Sequence, residues 1–478
     1  MKLILVGTGE REPKWVWRPN DLTKISFSGD YAKSSDNYNM AYRVAPESLG
    51  LNPALFALIA APGEPTRPLD NPYDTNTAED QFTDLTNWGL NLTAEFYLGW
   101  SILTSISGSR KGTNHSYFDA DMTPYDLLNI RVEDTEKSFQ EELRLESNSD
   151  GPLSWQTGIF FLQIEADLKP QTFTGLLLAG SGGDSAVTSS LITTSYALFG
   201  EISYELTEKT VLTIGARYTQ DKLDFDGSVK LLRPSLTVLT VKDSMIEREP
   251  TYRLAFRHTL NENVSYYASY SRGYKSGTFS MSAIEQPPVE PQTIDAYEMG
   301  MKTDLFDKRL RFNISAFHYD ISDYQARSAS GTNPAPVLLN AAEVEVDGLE
   351  VELEFAVTDN LRMFSSLSWL ESKFVDFPFA PFTLVNDQPI STFGGLIPGG
   401  TSMVITDASG NKTPLAPDFA GSLGISYNML LASAGEVDFS VLYSYNSDYY
   451  YDSDNRLEQL SFGLLNASVS YHPTPTGV

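Results

Sequence analysis

The chain has 478 residues, no cysteine, and 62 acidic against 34 basic side chains, for a formal net charge of −28 at pH 7. The missing cysteine excludes disulfides, thiol catalysis and thiolate-bound metals, and suits a chain that crosses an oxidising compartment. The acid excess argues against nucleic-acid binding, which needs a basic surface; it reads as solvation, or as a lumenal field favouring cationic or metal-containing solutes.

The opening MKLILVGTGEREPKW carries only a short apolar stretch and no small-residue cleavage site, so it does not read as a secretory signal. Trp15–Arg18 and Leu22–Ser34 form a first hairpin around Pro19-Asn20-Asp21. A polar, Pro-rich loop follows, and then Gly89–Phe96 pairs with Leu98–Arg110 across Tyr97–Gly99. Lys137–Ser147 turns through Ser149-Asp150-Gly151 into Leu153–Glu165. Thr194–Leu206 turns at Thr207-Glu208-Lys209 into Thr210–Lys222, and Pro250–Leu260 turns at Asn261-Glu262-Asn263 into Val264–Tyr274. Thr293–Phe306 meets Lys308–Ile321 at Phe306-Asp307-Lys308, and Gly348–Val357 meets Leu361–Val375 at Thr358-Asp359-Asn360. Phe419–Leu431 pairs with Glu436–Ser447, and Phe462–His472 stands last.

These segments share a period of two. Leu310, Phe312, Ile314 and Ala316 alternate with Arg311, Asn313 and Ser315; Leu349, Val351, Leu353 and Phe355 alternate with Glu350, Glu352 and Glu354. Apolar side chains therefore leave one face of each strand and polar ones the other. A charge on the lipid face at mid-bilayer costs roughly 2–4 kcal/mol for a base and less for an acid, so three glutamates in one strand belong in a watery lumen. No apolar run of about 18 residues exists, so no transmembrane helix is expected, which leaves strands free to cross a membrane. About 17 strands, joined by short and long connections in strict alternation, predict an all-β fold, a transmembrane antiparallel β-barrel in one domain over residues 1–478, with short turns periplasmic and long loops outside. A soluble β-sandwich also alternates, but does not combine so many strands with such one-sided loop lengths.

The stretches Tyr266–Gly277 (YYASYSRGYKSG), Pro291–Lys302 (PQTIDAYEMGMK) and Leu305–Tyr319 resemble the barrel of TonB-dependent outer-membrane receptors, as do Trp17–Asn20, Leu103–Ile106, Glu142–Leu145, Gly215–Tyr218 and Val346–Glu350 in the same order. The resemblance implies a bacterial outer-membrane protein, a transporter and not an enzyme, with a barrel of 22 strands around a plug. It also implies partnership with the TonB system and a small-molecule ligand, usually a ferric siderophore, less often a vitamin or glycan; a passive porin-like barrel is the alternative. No stretch resembles the family's plug or TonB box, and the family's last strands are unmatched beyond Leu465–Tyr471, so the chain is expected to be a partial barrel, an internal fragment of a receptor gene or a truncated reading frame.

No catalytic residues, metal ligands or cofactor are expected. The histidines His115, His258, His318 and His472 lack metal-ligand spacing. Gly180–Asp184 lacks the lysine of a phosphate loop, and Asp452–Asn455 lacks the downstream pattern of a calcium loop. Arg272, Tyr274 and Lys275 are the candidate ligand-binding residues, because they stand where a strand leaves the membrane and could contact an anionic chelate. The competing reading puts Tyr274 in an interfacial aromatic girdle and pairs Arg272 with acids. Tyr449–Tyr451 is likewise either a stacking patch or girdle.

Overall fold

The structure, a computed structural model, describes residues 2–8, 10–37, 77, 79–120, 126, 128–176, 178, 183–328, 337–340, 343–385, 390–392, 395–397, 401–431 and 434–473. Its main body is one antiparallel sheet of 18 strands. They are β1 (Lys2–Thr8), β2 (Glu10–Asn20), β3 (Thr23–Asp36), β4 (Phe82–Tyr97), β5 (Ser101–Asp119) and β6 (Asn129–Ser147). Next come β7 (Leu153–Thr174), β8 (Ser185–Thr207), β9 (Thr210–Leu232), β10 (Ser235–Asn261), β11 (Val264–Lys275) and β12 (Gln292–Leu305). The last six are β13 (Leu310–Ser322), β14 (Glu343–Ala356), β15 (Leu361–Asp376), β16 (Phe419–Leu430), β17 (Gly435–Asn446) and β18 (Phe462–Pro473).

Each strand pairs with its neighbour in sequence, and among the described residues β1 and β18 do not pair, so the sheet is open between them. All the expected strands are present in the expected order, and β1 is added at the start. Short turns close one end. The Phe306-Asp307-Lys308 turn holds three consecutive left-handed residues, at φ 53, 57 and 64°, a conformation in which L side chains crowd the backbone. Arg309 fastens it, donating from Nε to the Ala356 carbonyl at 3.0 Å and from its second terminal nitrogen to that of Val357 at 2.6 Å. Two turns sit one or two residues later than expected: Asp21-Leu22 separates β2 from β3, and Leu98-Gly99-Trp100 separates β4 from β5.

The apolar face predicted from alternation is the exposed one. Tyr218 and Ile214 on β9, Tyr252 and Leu254 on β10, and Tyr297 and Met299 on β12 stand out from the sheet, as a lipid-facing band requires. Aromatic rows bound it. Tyr252, Tyr270 and Tyr297 follow one another at ring-centroid distances of 6.0 and 4.9 Å, and Trp100 lies 6.1 Å from Trp155 near the short turns. The inner face carries the glutamates: Glu352 accepts from Asn313 Nδ2 at 3.2 Å, and Glu354 faces Arg311 at 3.6 Å. Aromatic rings on this face lie over glycines of the next strand, Phe317 over Gly348 and Phe199 over Gly158.

Strict alternation of short and long connections does not hold. Lys222 to Pro250, read as an outer loop, continues β9 and β10 to a two-residue turn at Arg233-Pro234. The 27 residues of β10 reach about 90 Å when extended, against a hydrocarbon core of about 30 Å. The reason is a change of phase. Within the membrane the even residues of β9 are apolar and exposed; beyond it the odd residues Leu223 and Phe225 are apolar and buried. Outside the bilayer, water replaces lipid on the outer face, and apolar side chains turn inward.

Candidate functional site

The inward-turned side chains need a partner, and the β11–β12 connection supplies it. Phe279 and Ile284 of residues 276–291 pack against Ile130, Leu168, Phe173, Val187, Leu191, Leu223 and Phe225 on the inner wall, with Phe279 stacked on Phe225 at 5.0 Å and 2°. Polar contacts hold the segment in place. Ser189 Oγ donates to the Met281 carbonyl at 2.8 Å, and the Thr278 and Val289 main chains bridge each other. Gln325 Nε2 donates to the Ser276 and Glu290 carbonyls at 2.9 and 3.0 Å. The segment expected as a free outer loop is thus docked into the mouth. A second apolar cluster, Ala326, Val344, Phe374, Phe377, Ala380 and Ala408, lines the rim beside it, and Asn340 joins the two by donating to the Glu290 and Asp323 carbonyls at 3.0 and 2.9 Å.

Of the candidate ligand residues, Arg272 pairs with Asp295 at 2.8 Å, directly opposite on β12, and Tyr270 donates to the same carboxylate at 2.7 Å. The guanidinium therefore sits on the girdle row with a counter-charge. Tyr274 leaves its neighbour and reaches two strands across, donating to Asp221 Oδ2 at 2.5 Å. Lys275 ends β11, exposed and paired in register with Gln292. The three do not converge on one point. Tyr449 and Tyr451 meet edge to face at 5.6 Å in an outer hairpin. Asp452–Asn455 is the tip of that hairpin; Asn455, at φ 54°, exchanges hydrogen bonds with the Lys412 main chain at 2.7 and 2.9 Å. Gly180–Gly182 lie outside the described residues.

The histidines stay apart. His115 faces Glu133 at 3.9 Å, His258 Nδ1 meets Thr210 Oγ1 at 3.0 Å, and His472 faces Asp438 at 3.2 Å. His318 lies between Asp347 and Asp320 at 2.9 and 3.2 Å.

Lower on the inner wall, toward the short turns, Arg253, Arg257, Lys302, Glu205, Glu298 and Tyr267 line a hollow of about 720 Å³. Higher up, the Arg217 guanidinium stands over the Phe160 and Phe199 rings at 5.1 and 5.7 Å. The arrangement is one of alternating charge and aromatic faces, suited to holding and orienting a polar body rather than transforming it. Sequence reasoning passed over Asp221, Glu247 and Gln325, because their partners lie on distant strands and no local spacing marks them.

An outward apolar band edged by aromatics, an acidic inner face and short turns at one end define a transmembrane β-barrel wall of the outer-membrane type. The chain belongs to the TonB-dependent receptor family: the profile described as TonB dependent receptor-like, beta-barrel, matches residues 16–476. Members of that family are bacterial outer-membrane transport receptors, not enzymes. Among solved structures, the ferric yersiniabactin uptake receptor FyuA from Yersinia pestis superposes with a TM-score of 0.74 at 14% identity, over 97% of this chain and 63% of that one. The siderophore receptor PiuA from Acinetobacter baumannii gives 0.69 at 16%, over 98% of this chain and 68% of that one. The ferric-pyoverdine M114 receptor PbuA from Pseudomonas sp. (strain M114) is 24% identical over 182 residues, 38% of this chain and 21% of that protein. The chain therefore spans less than two thirds of FyuA and about a fifth of PbuA.

Proposed function

We propose that this chain is the barrel portion, over residues 1–478, of a receptor that imports a scarce solute with energy delivered by the TonB system, and that the solute is a ferric siderophore. The family match across residues 16–476 carries the transport reading. The siderophore reading is supported by the names of FyuA, PiuA and PbuA, three receptors of that ligand class. The docked 276–291 segment and the apolar rim cluster pack the outer mouth firmly, which suits capture of a bulky chelate. Exposed Lys275 at the end of β11 is the candidate anion contact of that mouth, with Arg272 and Tyr274 holding the surrounding strands.

The test is uptake of radiolabelled iron by iron-starved cells carrying the complete gene, offered a panel of ferric siderophores, with and without a functional TonB system. Accumulation of one chelate that requires both gene and TonB is expected. Uptake that survives loss of TonB refutes energised transport and favours a passive pore. TonB-dependent growth on a glycan or vitamin, with no ferric chelate taken up, refutes the siderophore assignment alone.

A further inference from the structure

Asp221 and Glu247 stand directly opposite each other on β9 and β10, above the membrane on the inner wall. Both are more than nine-tenths buried, at 5% and 7% exposure. Two neighbouring carboxylates at that depth have lost their water and repel each other, an arrangement that requires a cation or a shared proton. Glu247 accepts from Ser276 Oγ at 2.8 Å and from the Gly277 N–H at 3.0 and 3.1 Å. Asp221 Oδ2 accepts from the Tyr274 hydroxyl. Asp221 Oδ1, however, is shut off from solvent and has no hydrogen-bond partner among the described residues. No lysine, arginine or histidine forms an ion pair with either acid among the described residues, and Glu290 adds further negative charge nearby. A carboxylate oxygen buried in such a place calls for a water or an ion as its partner.

We propose that Asp221 and Glu247 form a binding site for a hard divalent cation, of which Ca²⁺ is the representative, that fastens residues 276–291 to the inner wall. The donors are oxygens throughout, the chemistry such ions take. A main-chain oxygen lies beside Glu247: the Val289 carbonyl and Glu247 Oε1 each come within 2.3 Å of the place of a β-carbon on Gly277, with the Met245 methyl at 2.6 Å. No third carboxylate or histidine converges among the described residues, so hydroxyl, main-chain oxygen and water complete the shell. The affinity belongs with that of extracellular modules, about 10⁻⁴–10⁻³ M. Bound there, the cation ties the strand pair to Ser276 and Gly277 and so holds Phe279 and Ile284 on the wall.

The test takes the receptor made from its complete gene, purified in detergent and stripped with EDTA. CaCl₂ titration is followed by calorimetry and by hydrogen exchange across residues 276–291. The wild type is expected to bind Ca²⁺ and to slow exchange in that segment about tenfold or more. Asp221→Asn should lose both responses, and Tyr274→Phe, which keeps both carboxylates, should retain them. Should Asp221→Asn fail to fold, Glu247→Gln takes its place. Absence of Ca²⁺ binding by the wild type overturns the proposal, as does undiminished binding by both carboxylate variants. Slowed exchange brought by acid alone, with no response to Ca²⁺, assigns the pair a proton and overturns it equally.

Discussion

Gly348→Ala isolates the packing of ring on glycine that recurs along the inner face. Gly348 on β14 lies opposite Phe317 on β13. A β-carbon at 348 would fall 2.1 Å from Phe317 Cζ and 2.6 and 2.7 Å from its ε-carbons, far inside a carbon contact of about 3.5–4.0 Å. The ring has no easy retreat, because it is stacked on Tyr319 at 4.8 Å and 21°. Alanine must drive the ring off its rotamer or part the strands, at about 1–3 kcal/mol for overpacking. Against this stands a gain of about 0.5–1 kcal/mol from the lower backbone entropy of alanine in the unfolded chain. The net expectation is a loss of about 1–2 kcal/mol. Phe317→Leu shortens the side chain and should absorb most of that loss, so the double mutant reveals a coupling of about 1 kcal/mol. Urea unfolding of the receptor in lipid vesicles, followed by tryptophan fluorescence, measures all four corners of the cycle. A Gly348→Ala protein as stable as wild type refutes the reasoning, as does an equal loss in the Phe317→Leu background.

Two further outcomes test the membrane frame and the rim. Leu349→Arg places a base on the lipid face and should cost about 2–4 kcal/mol near mid-bilayer, whereas Glu350→Arg, one residue on, points into the lumen and should cost far less; the same unfolding assay would show a reversed order if the faces were misassigned. At the rim, the Ser409 hydroxyl and its N–H, the latter at 2.8 Å, hold the Asp407 carboxyl below its usual value of 3.8. Because the folded-state value is the lower one, the contribution is full above about pH 4 and is lost as pH falls through that lower value. Exchange protection at Ser409, corrected for intrinsic rate, should drop in acid, and Asp407→Asn should abolish the pH dependence; an unchanged step in the variant would contradict this.

Alternation made the membrane half of the wall legible because lipid imposes one apolar face on every strand, and the positions of Ile314, Leu349 and Tyr297 follow from that alone. The reading faltered where the solvent changes. Beyond Tyr218 the apolar residues of β9 move to the other parity, so a pattern followed in one phase ends at Lys222, although the strand runs on to Leu232. β1 was hidden because seven residues at the start of the chain offer too little alternation to register. The candidate contacts were legible as residue types and not as partners. Nothing local tells that Arg272 meets Asp295, or that Tyr274 passes over its neighbour to find Asp221, since both depend on how strands stack sideways. Asp452–Asn455, which lacks the pattern of a calcium loop, is a turn whose Asn455 serves the chain's own backbone.

Strand pairing in this sheet joins sequence neighbours, so each hairpin can zip as soon as its own turn has formed. Residues 276–291 are different. Phe279 and Ile284 find their partners on β6, β7, β8 and β9, and those side chains face one another only once the strands have bent around a common hollow. The segment therefore gauges curvature rather than register. A wall with every hydrogen bond in place but the wrong bend would leave Leu223 and Phe225 wet and the connection undocked, a fault that no count of paired strands would reveal.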